Sequence, residues 1–224
     1  MKKKGSINVK MLFFDMEFAN GKVPGSIYSL GYLMTDENFR VIREPADILM
    51  NPDAEWNEYV EANILAYSKE TVESSPKFPE LYESIRALFD EADIAVGFAV
   101  GNDIRALRKD CERYGLKPFR FHALDMEKLC RRQEEHKDAH GLGGYVSAWC
   151  GEEPDNRHRS DGDALATMML FRAVCQAKHA TPEMMRIVYP ECCVSSLTVA
   201  KKVQKTNVKR KRRRTRRKKA DEKA

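Results

Sequence analysis

Apolar residues along this chain follow two periods, and the alternation between them predicts its elements. Met11-Leu-Phe-Phe14 is an unbroken apolar run, the pattern of a strand covered on both faces, and it leads into Asp15-Met-Glu17-Phe18. Residues 19–25 carry turn signals, and Ser26-Ile-Tyr-Ser-Leu-Gly-Tyr-Leu-Met34 predicts a second strand. Thr35–Asn38 is expected to turn. Phe39–Ile42 and Ile48–Met50 then supply a third strand, making residues 10–50 an antiparallel meander. From Tyr59 to Tyr67 the pattern becomes helical. After a Ser- and Pro-rich loop, Pro79 suits a helix start, and Leu81, Ile85, Leu88 and Phe89 recur at helical spacing up to about Glu91. Ile94–Val100 is all apolar and predicts another buried strand. Ile104, Leu107, Cys111 and Tyr114 share one face of a helix that Gly115 stops. Phe119–Leu124 predicts a last short strand, followed by helical segments at 125–136 and 141–149. Residues 151–160 form a polar loop. Asp161–Ala177 is apolar nearly all round, as in a helix packed on more than one side. Strands first, then strands alternating with helices, indicate an α/β protein: a mixed sheet flanked by helices.

Composition narrows the class. The chain has 224 residues and a 42% apolar fraction, enough for one ordinary core. Its net charge of +5 conceals a division: residues 201–224 hold fourteen Lys and Arg against two acids, whereas residues 1–200 hold 25 basic and 32 acidic residues, or −7. We therefore expect a folded body over 8–180, an extension over 181–200 that packs on it or links onward, and a disordered basic tail over 201–224. The six cysteines form no Cys-x-x-Cys pair, so reduced thiols are expected rather than disulfides or a zinc site. No apolar run approaches the ~18 residues of a membrane span, and Met-Lys-Lys-Lys is not followed by a secretory apolar segment. A cytoplasmic protein is expected, or a nuclear one in a eukaryote.

The candidate chemistry begins at the end of the first strand. Side chains alternate across a strand, so Asp15 and Glu17 project from one face, about 7 Å apart along the backbone. Two acids held side by side repel, and a divalent cation is the simplest way to keep both ionised. Asp103 stands where the 94–100 strand gives way to a helix, the end of a sheet strand at which ligands gather. An acid in a first helical turn also complements the helix dipole, so a purely structural role is open as well. Asp163 has the same two readings, since Ser160 and Asp163 together resemble a capping box. His158, in the polar loop five residues earlier, would face the same place and titrate near neutrality, as a general base should.

In this order the segments match something specific. Phe13-Phe-Asp15-Met-Glu17, Val96-Gly-Phe-Ala-Val-Gly-Asn-Asp103 and His158-Arg-Ser-Asp-Gly-Asp163-Ala-Leu-Ala-Thr167 resemble the three motifs of the DEDDh 3′→5′ exonucleases, a family that includes the proofreading exonuclease of bacterial replicative DNA polymerases. The resemblance covers about residues 8–177. Two departures are visible: Phe18 follows the first-motif Glu where the family has Thr or Ala, and Phe98, Ala99 and Asn102 stand where the second motif often has His, Asn and Phe.

The resemblance implies a ribonuclease-H-like fold with a five-stranded mixed sheet, and an exonuclease domain over 8–180. It implies that Asp15, Glu17, Asp103 and Asp163 hold two Mg²⁺ or Mn²⁺ ions, that His158 is the base, and that terminal phosphodiesters are hydrolysed to nucleoside 5′-monophosphates. Phe18 and Ala19 would lie beside the terminal nucleotide. The expected partner is nucleic acid with a free 3′ end, single-stranded DNA before RNA, with a polymerase as a candidate partner and no small organic cofactor. In the tail, Lys209, Arg210, Lys211, Arg212, Arg213, Arg214, Arg216 and Arg217 would attract phosphate backbones without reading sequence. Two alternatives stand beside this: a catalytically silent nucleic-acid-binding module, and a phosphodiesterase for short oligonucleotides.

Overall fold

The apolar run at 11–14 occupies the middle of a sheet because both of its faces are covered. The computed structural model describes residues 9–23, 25–151 and 159–197. β1 (Lys10–Phe18) pairs antiparallel with β2 (Ile27–Asp36), which pairs antiparallel with β3 (Val41–Leu49). On its other side β1 runs parallel to β4 (Ile94–Gly97), and β4 parallel to β5 (His122–Asp125). A short β6 (Cys193–Ser195) closes the far edge antiparallel to β5, giving the order β3-β2-β1-β4-β5-β6.

Alternation along β1 divides its side chains between two cores. Met11 and Phe13 face α7 (Ser160–Ala177), where Phe13 lies 6.4 Å from Phe171, and this layer also takes α5 (Met126–Cys130) and α6 (Gly141–Cys150). Leu12, Phe14 and Met16 face α3 (Phe78–Glu91) and α4 (Gly101–Arg113), with Phe14 edge-on to Phe89 at 5.1 Å. Each fully buried Phe or Leu here contributes about 1.5–3 kcal/mol of transfer free energy. The remaining helices are α1 (Glu58–Asn63), α2 (Lys69–Glu73) and α8 (Pro182–Val188). Among the described residues, no helix is long and apolar enough to cross a membrane.

The ribonuclease-H-like mixed sheet is as expected, with one strand more. β6 has three half-buried residues, too few to show an alternating pattern, and it is held by its neighbours: Ser196 accepts from the Phe121 amide at 3.0 Å and donates to the Phe119 carbonyl at 2.8 Å. β3 continues through Pro45, where its pairing with β2 shifts register between Ala46 and Arg43, and an edge strand tolerates proline at such an irregularity. β4 stops at Gly97, three residues early. The chain turns there with Ala99 at φ 53°, and the Asp125 carboxylate accepts its amide at 3.1 Å. The helix expected over 125–136 ends at Cys130, where its apolar anchors run out and charged residues follow.

Candidate functional site

The carboxyl ends of β1 and β4 and the start of α7 converge above the sheet. Asp15 and Glu17 project from the α7 face of β1, and the first turn of α7 brings Asp163 to them. One carboxylate oxygen from each of these three residues lies within 4.8 Å of the others. Just past Glu17 the β1–β2 register shifts, so that Glu17 pairs with Ser29 and Phe18 with Ile27, leaving Tyr28 as the extra residue of a bulge.

The helix can come this close because of Gly31. In the ladders Asp15 lies opposite Gly31, and Gly31 opposite Asp47, so the three form a row across β1, β2 and β3. A Cβ on Gly31 would lie 1.8 Å from the Ser160 carbonyl carbon and 2.1 Å from the Asp161 nitrogen. The missing side chain is the seat of the first turn of α7. Asp47 secures that seat from the far side: it accepts from the Ser160 hydroxyl at 2.9 Å and from the Tyr67 phenol, and it lies 4.0 Å from the Arg159 guanidinium. Arg159 in turn forms two hydrogen bonds to Asp161, at 2.9 and 3.1 Å.

Burial and like charge act together on the acids. Burial raises Asp15 well above the usual carboxylate range, and Asp103, Asp163, Glu17 and Asp47 push it further. Glu17 is raised to about 7, first by burial and then by Asp163 and Asp47. Asp103, in the first turn of α4, is also raised well above its ordinary value by burial, then by Glu17 and Asp125. Its Oδ2 is buried and has no hydrogen-bond partner among the described residues. A buried carboxylate oxygen without a partner is costly to desolvate, on the order of 1–3 kcal/mol or more. A divalent cation would remove both costs, the desolvation and the repulsion. The donors are all hard carboxylate oxygens, which suits Mg²⁺ or Mn²⁺. The residues therefore fit a metal site.

The structure brings together Asp15, Glu17 and Asp163 and places Asp103 within electrostatic reach of Asp15 and Glu17. Phe18 is half-buried and points away from Glu17, toward the α4 side of the sheet. Ala19 is fully buried against Tyr28 and Val72. Its amide donates to the Ser26 carbonyl and its own carbonyl accepts from the Asn57 amide, so it shapes the floor and has no surface to offer a substrate. His158 and the tail residues Lys209–Arg217 lie outside the described residues.

Two neighbours stand outside the set expected from the chain. Asp47 falls within an edge strand and carries no motif, although a lone acid between Ala46 and Ile48 is a signal that could have found it. Tyr28 has a buried hydroxyl without a partner among the described residues; burial and the nearby Glu17 and Asp47 hold its phenol firmly protonated. The phenol lies within electrostatic reach of Glu17.

Residues 12–171 match the RNase_T family, described as exonuclease. No curated protein sequence matches the chain. Among solved structures, the nuclease domain of 3′hExo, a DEDDh family member bound to rAMP, superposes with a TM-score of 0.63 at 11% identity, covering 77% of this chain and 94% of its own. A 3′-exonuclease solved for its 3′-end specific recognition of a histone mRNA stem-loop gives 0.65 at 10% identity, over 78% of this chain and 84% of the other. E. coli exonuclease I in complex with a dT13 oligonucleotide gives 0.64 at 18% identity, over 81% of this chain but only 43% of the larger protein. At these identities the structural likeness is one of fold.

Proposed function

This chain belongs to the RNase_T exonuclease family, and from that premise we propose that it removes nucleotides one at a time from nucleic-acid 3′ ends, releasing nucleoside 5′-monophosphates. The observation that supports this most directly is the convergence of Asp15, Glu17 and Asp163 within 4.8 Å, beside an Asp103 whose inner oxygen lacks a partner among the described residues. The end of an interior strand with no task would not gather three half-buried acids and a buried fourth that repel one another.

In this proposal Asp15, Glu17, Asp103 and Asp163 hold two Mg²⁺ or Mn²⁺ ions. When bound, such ions supply positive charge where the attacking water ionises and where the 3′ oxygen departs. The protein's own groups do the rest. Gly31 and Asp47 hold α7 so that Asp163 meets the strand. Tyr28, within electrostatic reach of Glu17, would add a protonated phenol near the site. His158, one residue before Arg159, would accept the proton of the attacking water on its imidazole nitrogen. Arg159 is itself held by its two hydrogen bonds to Asp161.

We propose single-stranded DNA before RNA. Exonuclease I, which shares the fold, is described with dT13, and the nuclease domain of 3′hExo, which shares it too, with rAMP, so the two nucleic acids are tested side by side. The basic tail over 201–224 would hold the strand near a body whose net charge repels it. The test is a ladder assay: 5′-labelled single-stranded DNA and RNA are incubated with Mg²⁺ and sampled over time. Stepwise shortening from the 3′ end is expected, with none in Asp163→Ala. Retained degradation by that variant would overturn the carboxylate assignment.

A further inference from the structure

A cleft separates the loop after β1 from α4, one residue along the chain from Glu17 on one wall and from Asp103 on the other. It encloses about 420 Å³, in the range of small-ligand sites and enough for one nucleotide unit. Phe18, Val23 and Ala106 line it with apolar surface, and Lys22, Arg105 and Lys109 line it with cations. α4 contributes positions 102, 105, 106 and 109, the i, i+3, i+4, i+7 face of a helix, so its cations point into the cleft as a set. No acid lines it among the described residues, in a body that carries −7 over residues 1–200. Lys22 and Arg105 make no ion pair among the described residues, and Lys109 shares its charge with Glu112.

The two walls are tied together. Asp110, on the inward side of α4, accepts the Ser26 and Ile27 amides at 3.3 Å each. Gly25 makes the approach possible: a Cβ there would lie 2.1 Å from Asp110 Oδ1, and its φ of 87° disfavours any side chain. The cleft is therefore fixed in width before a ligand arrives.

Resting on the exonuclease assignment, we propose that this cleft binds the substrate strand beyond its terminal nucleotide, with Lys22, Arg105 and Lys109 on backbone phosphates and Phe18 at the end nearest the terminal nucleotide. Cations over an aromatic floor suit single-stranded nucleic acid, whose every unit has one phosphate and one stacking face. The cleft lends binding to long strands and little to a dinucleotide, whose single phosphodiester is the one being cut.

The experiment compares full-length wild type with the Lys22→Ala/Arg105→Ala double variant on dT2 and dT12, and on U2 and U12. The ratio of kcat/KM for the dodecamer over the dimer is expected to fall at least tenfold in the variant. The salt dependence of dodecamer cleavage should become shallower by about 1.4 in log–log slope, for two phosphate contacts on a single strand. A Lys22→Arg/Arg105→Lys variant should restore both. An unchanged ratio, or an equal loss on dimer and dodecamer, would overturn the cleft. If wild type cuts none of these oligomers, the exonuclease assignment fails on its own. The cleft is then read by hydrogen–deuterium exchange with intact dT12 in Mg²⁺: slowing over 19–25 and 102–109 supports it, and no slowing there refutes it.

Discussion

Glu17 is a place where function works against folding, and the conflict can be measured. Its carboxyl is raised from 4.5 to about 7, first by burial, then by Asp163 and Asp47. A raised acid favours the fold while it is protonated. Its contribution is fully present below 4.5 and is lost as pH rises through about 7. The rise corresponds to about 3 kcal/mol withheld from the metal-free fold at pH 8. A glutamine side chain at this position would have nearly the same shape and no charge to desolvate. In EDTA, Glu17→Gln is therefore expected to match wild type near pH 4 and to exceed it by up to about 3 kcal/mol at pH 8. For a domain of this size 1 kcal/mol moves Tm by about 2–4 °C, so the pH 8 gap is about 6–12 °C at full burial, and smaller to the extent that water reaches this partly exposed side chain. The assay is thermal unfolding by circular dichroism across pH 4–8, with EDTA and again with excess Mg²⁺. Mg²⁺ should raise wild type most at high pH and close the gap, while the variant loses exonuclease activity. A variant no more stable than wild type at pH 8 in EDTA, or a gap that persists at pH 4, would refute the reasoning.

Gly31→Ala forces its new methyl into the Ser160 backbone, so α7 must lift. A stability loss of about 1–3 kcal/mol is expected, together with a fall of at least a hundredfold in kcat while the far-ultraviolet spectrum is kept. Asp47→Ala takes the acceptor from the Tyr67 phenol, leaves the Ser160 hydroxyl with Ser29 alone, and loosens the seat of Asp163; Mn²⁺ affinity by calorimetry should fall about tenfold or more, as it does when groups supporting metal ligands are lost. Deleting 201–224 should flatten the salt dependence of binding to long strands and spare the cleavage of very short ones; loss of short-substrate cleavage would place the tail in the site.

Much of the site was legible along the chain because it sits where local patterns break. Met11–Phe14 reads as a buried strand from its own composition, and the acids that end it fall on one face by alternation alone. Asp103 and Asp163 likewise stand at a strand end and a helix start, boundaries marked by Gly101 and by the polar loop before Ser160. What these residues share with a known family added the order in which they meet.

Local pattern was enough for the class of fold and the buried strand, since helix and strand periods depend only on near neighbours, and the resemblance to a known family singled out the four acids. Packing in three dimensions was needed to show that Asp47 belongs with them, that Gly31 must lack a side chain, that Ala19 is floor, and that Lys22, Arg105 and Lys109 share one cleft. Each of those depends on strand register or on how a helix docks against a distant segment. Shifting β3 by one residue against β2 would carry Asp47 to the other face of the sheet. Nothing within the reach of a local pattern records that register, because its energy comes from contacts between residues far apart in the chain.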